Sequence, residues 1–303
     1  MRRQTFRCTL VLALTALSAI WCAAPDAARA SDHGDTPQLI STGRHDARIT
    51  DLFAFTRGNR LVLILNTNPA IPANVTTYQW PSDLKLQIAI DNHSEVTFEN
   101  TKANQAYGGS IASPRGIFED IRFNIDFPGG TPRLKVKGLK NGGARQIKLF
   151  AGLRDDPFIR GPQIGKNIAA IVIELPLSAV LGDSSTILLW GTARVGDASG
   201  PIVEMVGRSL RSQLPENLTL NGLHPRLHRL KLGMVPDVMI YNTSARADFP
   251  NGRELTDDVI DYVAGIDPGA GAQNVLNTDA PFPSANDKPF LSTFPYLAEP
   301  HRQ

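Results

Sequence analysis

Outside the N-terminal stretch, the densest carboxylates of the chain lie in two places: Arg154-Asp155-Asp156-Pro157-Phe158, and DFPNGRELTDDVID at 248–261. Grouped oxygen donors suit a hard divalent cation such as calcium or magnesium. Asp257 and Asp261, four residues apart, share a face if that segment is helical. Asp155, Asp156, Asp257, Asp258 and Asp261 thus form one candidate metal set, in which the ion would activate a water and an aspartate would act as base. The competing reading is local: Asp156 caps a turn before Pro157, Asp257 and Asp258 charge a helix start, and Arg154 or Arg253 pairs with a carboxylate.

A different chemistry is available at Ser31-Asp32-His33. If processing exposes Ser31, a histidine stands third from a free α-amine. The amine, two amide nitrogens and the imidazole then make the four-nitrogen plane that Cu(II) and Ni(II) prefer. Without that role, His33, His45 and the four aspartates of 31–51 are turn and surface chemistry. HPRLHRLK at 224–231 offers His224 and His228 as metal ligands, or an anion site with Arg226, Arg229 and Lys231. Pro225, however, places His224 at or outside a helix start, and a basic run is ordinarily a solvated face. His93 and His301 have no evident partner in the sequence.

The first thirty residues explain why Ser31 would be a terminus. Arg2, Arg3 and Arg7 form a basic head, an apolar run spans 10–24, and Ala28-Arg29-Ala30 supplies the small-x-small pattern of a signal-peptidase site. The run is shorter than the roughly twenty residues a membrane span needs, and no later segment does better. Both cysteines, Cys8 and Cys22, fall inside this leader, so the mature chain has neither disulfides nor a thiolate nucleophile. Losing Arg2, Arg3, Arg7, Arg29 and Asp26 leaves 27 basic against 28 acidic residues. A nucleic-acid-binding role then has no support from charge. Nucleotide-loop, nucleophile-elbow and His-Glu-x-x-His motifs are missing.

The elements that must position these residues read as strands. Segments 60–68, 84–90, 133–139 and 145–153 are β-branched and apolar, several with a period near two, as half-buried strands require. Segments 167–176 and 186–194 are more continuously apolar, as expected for strands covered on both faces. Asn141-Gly142 reads as a hairpin turn between 133–139 and 145–153. The expected fold is mostly β, an antiparallel sheet or sandwich in a single domain over 31–303, with Phe53, Phe55, Leu63, Leu65, Ile88, Ile90, Ile171, Ile173, Leu189 and Trp190 in the core. Two short helices are expected. One is 202–214, with Val203, Val206, Leu210 and Leu214 on one face; the other is 255–266, capped by Thr256 after a tight turn at Asn251-Gly252. The Gly- and Pro-rich end keeps Phe282, Phe290, Phe294 and Tyr296, so it reads as an extended strap pinned by aromatics.

The opening SDHGDTP and TDLFAF, the central FAGLRDDPF, GKNIAAIVIELP with LLWGTAR, the late DFPNGRELTDDVIDYVAG and the closing NDKPFLSTFPYLAEP together resemble the bacterial exported family named domain of unknown function 4331. Members more typically open Ser-Ser-His-Arg-Glu-Ala-Pro, and many carry an Asp-Asn-Asp-x-Asp-Gly-like loop where this chain has DNHSEVTFEN. The resemblance implies export and a mostly-β fold, and no established activity. The expected function is an exported binding or scaffold protein; the alternatives are a divalent-metal-dependent hydrolase and a Cu(II)- or Ni(II)-binding protein. Any small-molecule, metal or protein partner is unidentified by the sequence.

Overall fold

The computed structural model describes residues 36–140, 142–157, 164–208, 215–233, 235–259, 262 and 285–302. In chain order the strands are β1 (Ile49–Arg57), β2 (Arg60–Ile71), β3 (Leu84–Asp91), β4 (Val96–Thr97), β5 (Ser110–Ile111), β6 (Ile121–Asp126), β7 (Arg133–Lys137), β8 (Lys148–Asp155), β9 (Asn167–Pro176), β10 (Thr186–Val195), β11 (Glu204–Val206) and β12 (Met239–Asn242). The α-helices are short: α1 (Pro37–Thr42), α2 (Thr101–Tyr107) and α3 (Pro225–Leu227). None is long and apolar enough to cross a membrane.

One antiparallel sheet runs β1-β2-β9-β8, and a second runs β11-β10-β3-β6-β7, with β12 sharing the outer edge of β10 beside β11. Register puts apolar residues opposite one another: Phe53 faces Ile64, Leu65 faces Ile171, Ile90 faces Leu189 and Ile88 faces Phe123. The inner faces of the two sheets merge into one apolar core. Gly191 marks a point of closest approach, because a Cβ there would lie 2.5 Å from Leu65 Cδ1 across the interface. All ten residues expected in the core are at most 1% exposed. Each such large apolar side chain contributes roughly 1.5–3 kcal/mol through burial. The fold is therefore the expected mostly-β, sandwich-like arrangement.

The continuously apolar β9 has its residues from Asn167 to Leu175 all buried. The C-terminal strap supplies part of its outer cover. Phe290 and Phe294 pack against the core, and Tyr296, Leu297 and Ala298 are buried. Phe282 lies outside the described residues. On the other sheet, Ala89, Leu188 and Trp190 form a second small apolar cluster with Ile117, Met205, Val238 and Ile240.

Three local expectations need correction. The segments around Asn141-Gly142 do not form a hairpin: β7 pairs with β6, whereas β8 pairs with β9 in the other sheet. Gly142 still takes the left-handed conformation at φ 65°, and a 3-10 turn over Gly143–Gln146 delays β8 until Lys148. Within 202–214, residues 204–206 are strand rather than helix, because the open edge of β10 offers Gly191, Thr192 and Ala193 as partners for Val206, Met205 and Glu204; residues 209–214 lie outside the described residues. The tight turn expected at Asn251-Gly252 falls two residues earlier, at Phe249-Pro250, where Asp248 and Asn251 exchange backbone hydrogen bonds, and Gly252 follows at φ 68°. A side chain at Gly252 would bring Cβ within 2.7 Å of Ala54 O. The helical bond that follows, however, runs from Tyr262 N–H to Asp258 O, so the cap position falls at Asp258, and Thr256 is an exposed turn residue.

Candidate metal centre

β8 ends at Leu153-Arg154-Asp155, and strand alternation sends Arg154 and Asp155 to opposite faces. Arg154 turns toward Glu299 at 2.8 Å and lies over the Phe150 ring. Asp155 turns to the end of the strap. Its N–H donates to Ala298 O at 3.3 Å, and its Oδ2 accepts from Asn286 Nδ2 at 2.6 Å. The same Asn286 amide donates to Lys288 O at 2.8 Å, and Lys288 Nζ donates to Pro300 O at 3.2 Å. Asn167, opposite Asp155 in the β8–β9 ladder, grips His301 twice: Nδ2 donates to its carbonyl at 3.0 Å and Oδ1 accepts from its N–H at 2.7 Å. Asp287 is fixed by accepting from Gly165 N–H at 2.7 Å.

This scaffolding brings together Asp155 Oδ1, Asp287 Oδ2 and His301 Nε2, one donor atom from each, all within 4.8 Å of one another. His301 Nε2 is 2.8 Å from Asp155 Oδ1 and 3.4 Å from Asp287 Oδ2. Ligands held about 2.1 Å from a zinc-like ion at angles between square and tetrahedral stand roughly 3.0–3.4 Å apart; the His301–Asp287 separation falls in that range and the His301–Asp155 separation is slightly shorter. Asp155 Oδ1 and His301 Nε2 are at ion-pair separation but lack hydrogen-bond alignment. Asn286 Oδ1, also buried, has no hydrogen-bond partner among the described residues. The Asp155 side chain is 1% exposed, Asp287 19% and His301 22%. Burial pushes the Asp155 pKa up to about 6; the hydrogen bond from Asn286 and the nearby His301 work against this, and the Asp287 charge adds to it. An ionised carboxylate in such a place is stabilised by a cation.

Of the carboxylates singled out in the sequence, Asp155 is the one that reaches this cluster. Asp156 is buried beside it, with its N–H on Lys166 O. Asp257 does turn chemistry: its Oδ2 accepts from Phe249 N–H at 3.0 Å and Glu254 N–H at 2.8 Å. Asp258 contributes its carbonyl to the Tyr262 bond. Asp261, Ser31, Asp32 and His33 lie outside the described residues. In the loop DNHSEVTFEN, Asp91 is occupied by the N–H groups of His93, Ser94 and Phe118 and the Ser94 hydroxyl. Further towards the start, Asp46 pairs with Arg44 at 2.8 Å and Asp51 with Arg253 at 2.8 Å, and His45 is exposed.

Sequence reasoning left His301 without a partner and did not single out Asp287 or Asn286. The available signal was Asn286-Asp287, two oxygen-bearing residues beside a proline-rich strap that ends in a histidine. His93 also has a partner, Asp120, at 2.9 Å.

The histidines of HPRLHRLK do not converge. His224 is the N-cap of α3, as Pro225 suggested, with Nδ1 accepting from Arg226 N–H and Nε2 3.1 Å from Glu119. His228 is fully buried; Nδ1 accepts from Asp237 N–H at 3.0 Å, and Nε2 faces the carbonyls of Leu220 and Leu223. Burial holds the His228 pKa below its ordinary 6.5. A depressed pKa means the unfolded chain takes the proton first, so this contribution to stability is present above 6.5 and lost as pH falls toward the folded-state pKa. Between about pH 8 and about pH 5.5 the wild type is expected to lose more stability than His228→Gln. Urea unfolding at both pH values checks this; equal slopes would remove His228 as the titrating group.

Comparison with family models and with the sequences of curated proteins finds no match.

Proposed function

We propose that the chain is an exported binding protein that holds a divalent cation between its β-sandwich and its C-terminal strap, with Asp155, Asp287 and His301 as ligands. The observation that carries this is the convergence of three donor atoms on a carboxylate that is only 1% exposed. One imidazole and two carboxylates make a mixed nitrogen and oxygen set, which suits zinc or manganese better than calcium, whose ligands are oxygens. Three protein donors leave a fourth coordination position open, so a metal-dependent hydrolase is the second reading of the same centre. Export is supported by the basic head, apolar run and Ala28-Arg29-Ala30 of the leader. The resemblance to the domain of unknown function 4331 family supports the same compartment.

Protein stripped with chelator and titrated with Zn(II) or Mn(II) is expected to bind one equivalent. At a free concentration about 100 times Kd, the gain is about 2.7 kcal/mol. For a chain of this size that is a rise in Tm of roughly 5–10 °C. Asp155→Asn and His301→Gln should abolish the rise. A wild type whose Tm responds to neither ion, or variants that respond as the wild type does, would overturn the proposal.

A further inference from the structure

The outer face of the second sheet carries an arrangement that neither the cation centre nor the apolar core uses. The apolar cluster around Trp190 covers one half of this face. On the other half, cross-strand register sets polar side chains in rows. Gln87 of β3 sits between Thr192 of β10 and Asn124 of β6. In the next row Lys85 sits between Arg194 and Asp126, and on the other side Arg122 of β6 faces Lys137 of β7. All of these but Thr192 line a concave pocket of about 390 Å³, within the range of small-molecule sites.

The charges in this pocket do not balance. Asp126 is taken by Arg133 at 2.6 Å and Lys135 at 3.5 Å, and Glu119 at the rim is taken by His224 at 3.1 Å. Gln87 donates to Asn124 Oδ1 at 2.8 Å, so that pair is satisfied internally. Among the described residues, the remaining cations have no carboxylate bonded to them. Lys85 reaches only the carbonyls of Ser82 and Leu84, and Arg194 only Gly200 O and the Thr192 hydroxyl. Arg122 makes no hydrogen bond or ion pair among the described residues, although its Nε is buried. The Arg122 guanidinium is thus committed to no carboxylate among the described residues, and an oxyanion in the pocket would meet it in a paired, charge-assisted contact. We propose that this pocket binds a small molecule bearing an oxyanion, a phosphate or a carboxylate, with Arg122 as its principal contact and Arg194 and Lys137 closing around it.

The site is independent of the cation centre, so its test uses chelator-treated full-length protein. Inorganic phosphate and succinate are titrated separately while the arginine Nε–H signals are followed by NMR. Saturable movement of the Arg122 signal is expected below about 20 mM of at least one probe, the weak range appropriate to so small a ligand. Arg122→Gln should weaken binding about tenfold or more, because a bidentate guanidinium contact is lost. Lys102→Gln on the exposed face of α2 carries the same net charge change and should leave affinity within about twofold. Response to phosphate alone assigns a phosphoryl ligand, and response to succinate alone a carboxylate ligand. The proposal is overturned if neither probe moves the Arg122 signal, or if the two variants lose affinity equally, since that would be net-charge attraction without a site.

Discussion

Asp51→Ala is expected to destabilise the protein by about 3–5 kcal/mol, because it removes a carboxylate bonded to a buried guanidinium. Asp51 stands on β1 with its side chain 2% exposed, and its Oδ1 accepts from Arg253 Nη1 at 2.8 Å; the arginine side chain is 5% exposed. The Arg253 guanidinium lies 4.2 Å from the centre of the Phe53 ring. Its backbone completes a two-way bridge with Ala54, N–H to carbonyl at 3.0 Å and 3.2 Å. The pair therefore clamps the turn at 248–252 onto the edge strand of the first sheet. Its loss exposes charge to an apolar wall rather than to water, so the cost exceeds that of a surface ion pair, about 0–1 kcal/mol. Replacing both partners, Asp51→Leu with Arg253→Met, should recover most of the loss, because the desolvated charge is then gone. Urea unfolding of the two single variants and the double variant measures the coupling. A loss below about 1 kcal/mol for Asp51→Ala would show that water reaches the arginine.

What could be read from the sequence, and what could not, follows from the range of the interactions. The strands at 60–68, 84–90 and 167–176 were legible because side-chain alternation and apolar runs are local consequences of burial. Partner choice is not local. Asn141-Gly142 carries a good turn signal, but whether β7 pairs with β8 depends on β6 and β9 competing for their edges, and both win. Val203 and Val206 are equally compatible with a helix face and with an irregular strand, and the open edge of β10 decides between them. At the candidate centre, Asp155 was visible as part of a carboxylate-rich run. Its partner Asn286 lies 131 residues further along, on a strap with no periodicity to reveal which side chains turn inward. The richer cluster at 257–258 attracted the metal reading, but there the carboxylate of Asp257 is consumed by the N–H groups of its own turn.

The strap is held as much by one aromatic residue as by the proposed cation, and Tyr296→Ala is expected to cost about 3–5 kcal/mol, the usual range for truncating a buried aromatic. The Tyr296 ring meets Phe55 edge-on at 5.8 Å and Phe294 at 6.2 Å, and the Arg57 guanidinium lies 5.7 Å from its centre. Its hydroxyl donates to Glu174 Oε2 at 2.6 Å. These contacts hold the residue at φ 70°, a conformation that a bulky side chain rarely adopts. Burial penalises the Glu174 charge, but the bonds from Tyr296, Lys148 and Arg60 outweigh that and hold its pKa below the ordinary carboxylate value. A depressed carboxylate pKa adds stability above the unfolded value of 4.5, and that stability disappears as pH falls through the folded-state pKa. Tyr296→Phe keeps the ring and removes the donor, so it should cost about 1.5–3 kcal/mol near neutral pH. The gap between Tyr296→Phe and the wild type should narrow as Glu174 is protonated, whereas the Tyr296→Ala deficit should largely persist, because lost packing does not titrate. Denaturation of the three proteins near pH 7 and near pH 3.5 separates the two contributions. Asp287 and His301 flank Tyr296 on the same strap, so Tyr296→Ala should also weaken cation binding, and saturating Zn(II) should restore part of the lost stability. If Tyr296→Ala unfolds at the wild-type denaturant concentration, the strap is not part of the cooperative fold, and the cation centre loses the scaffold that would assemble it.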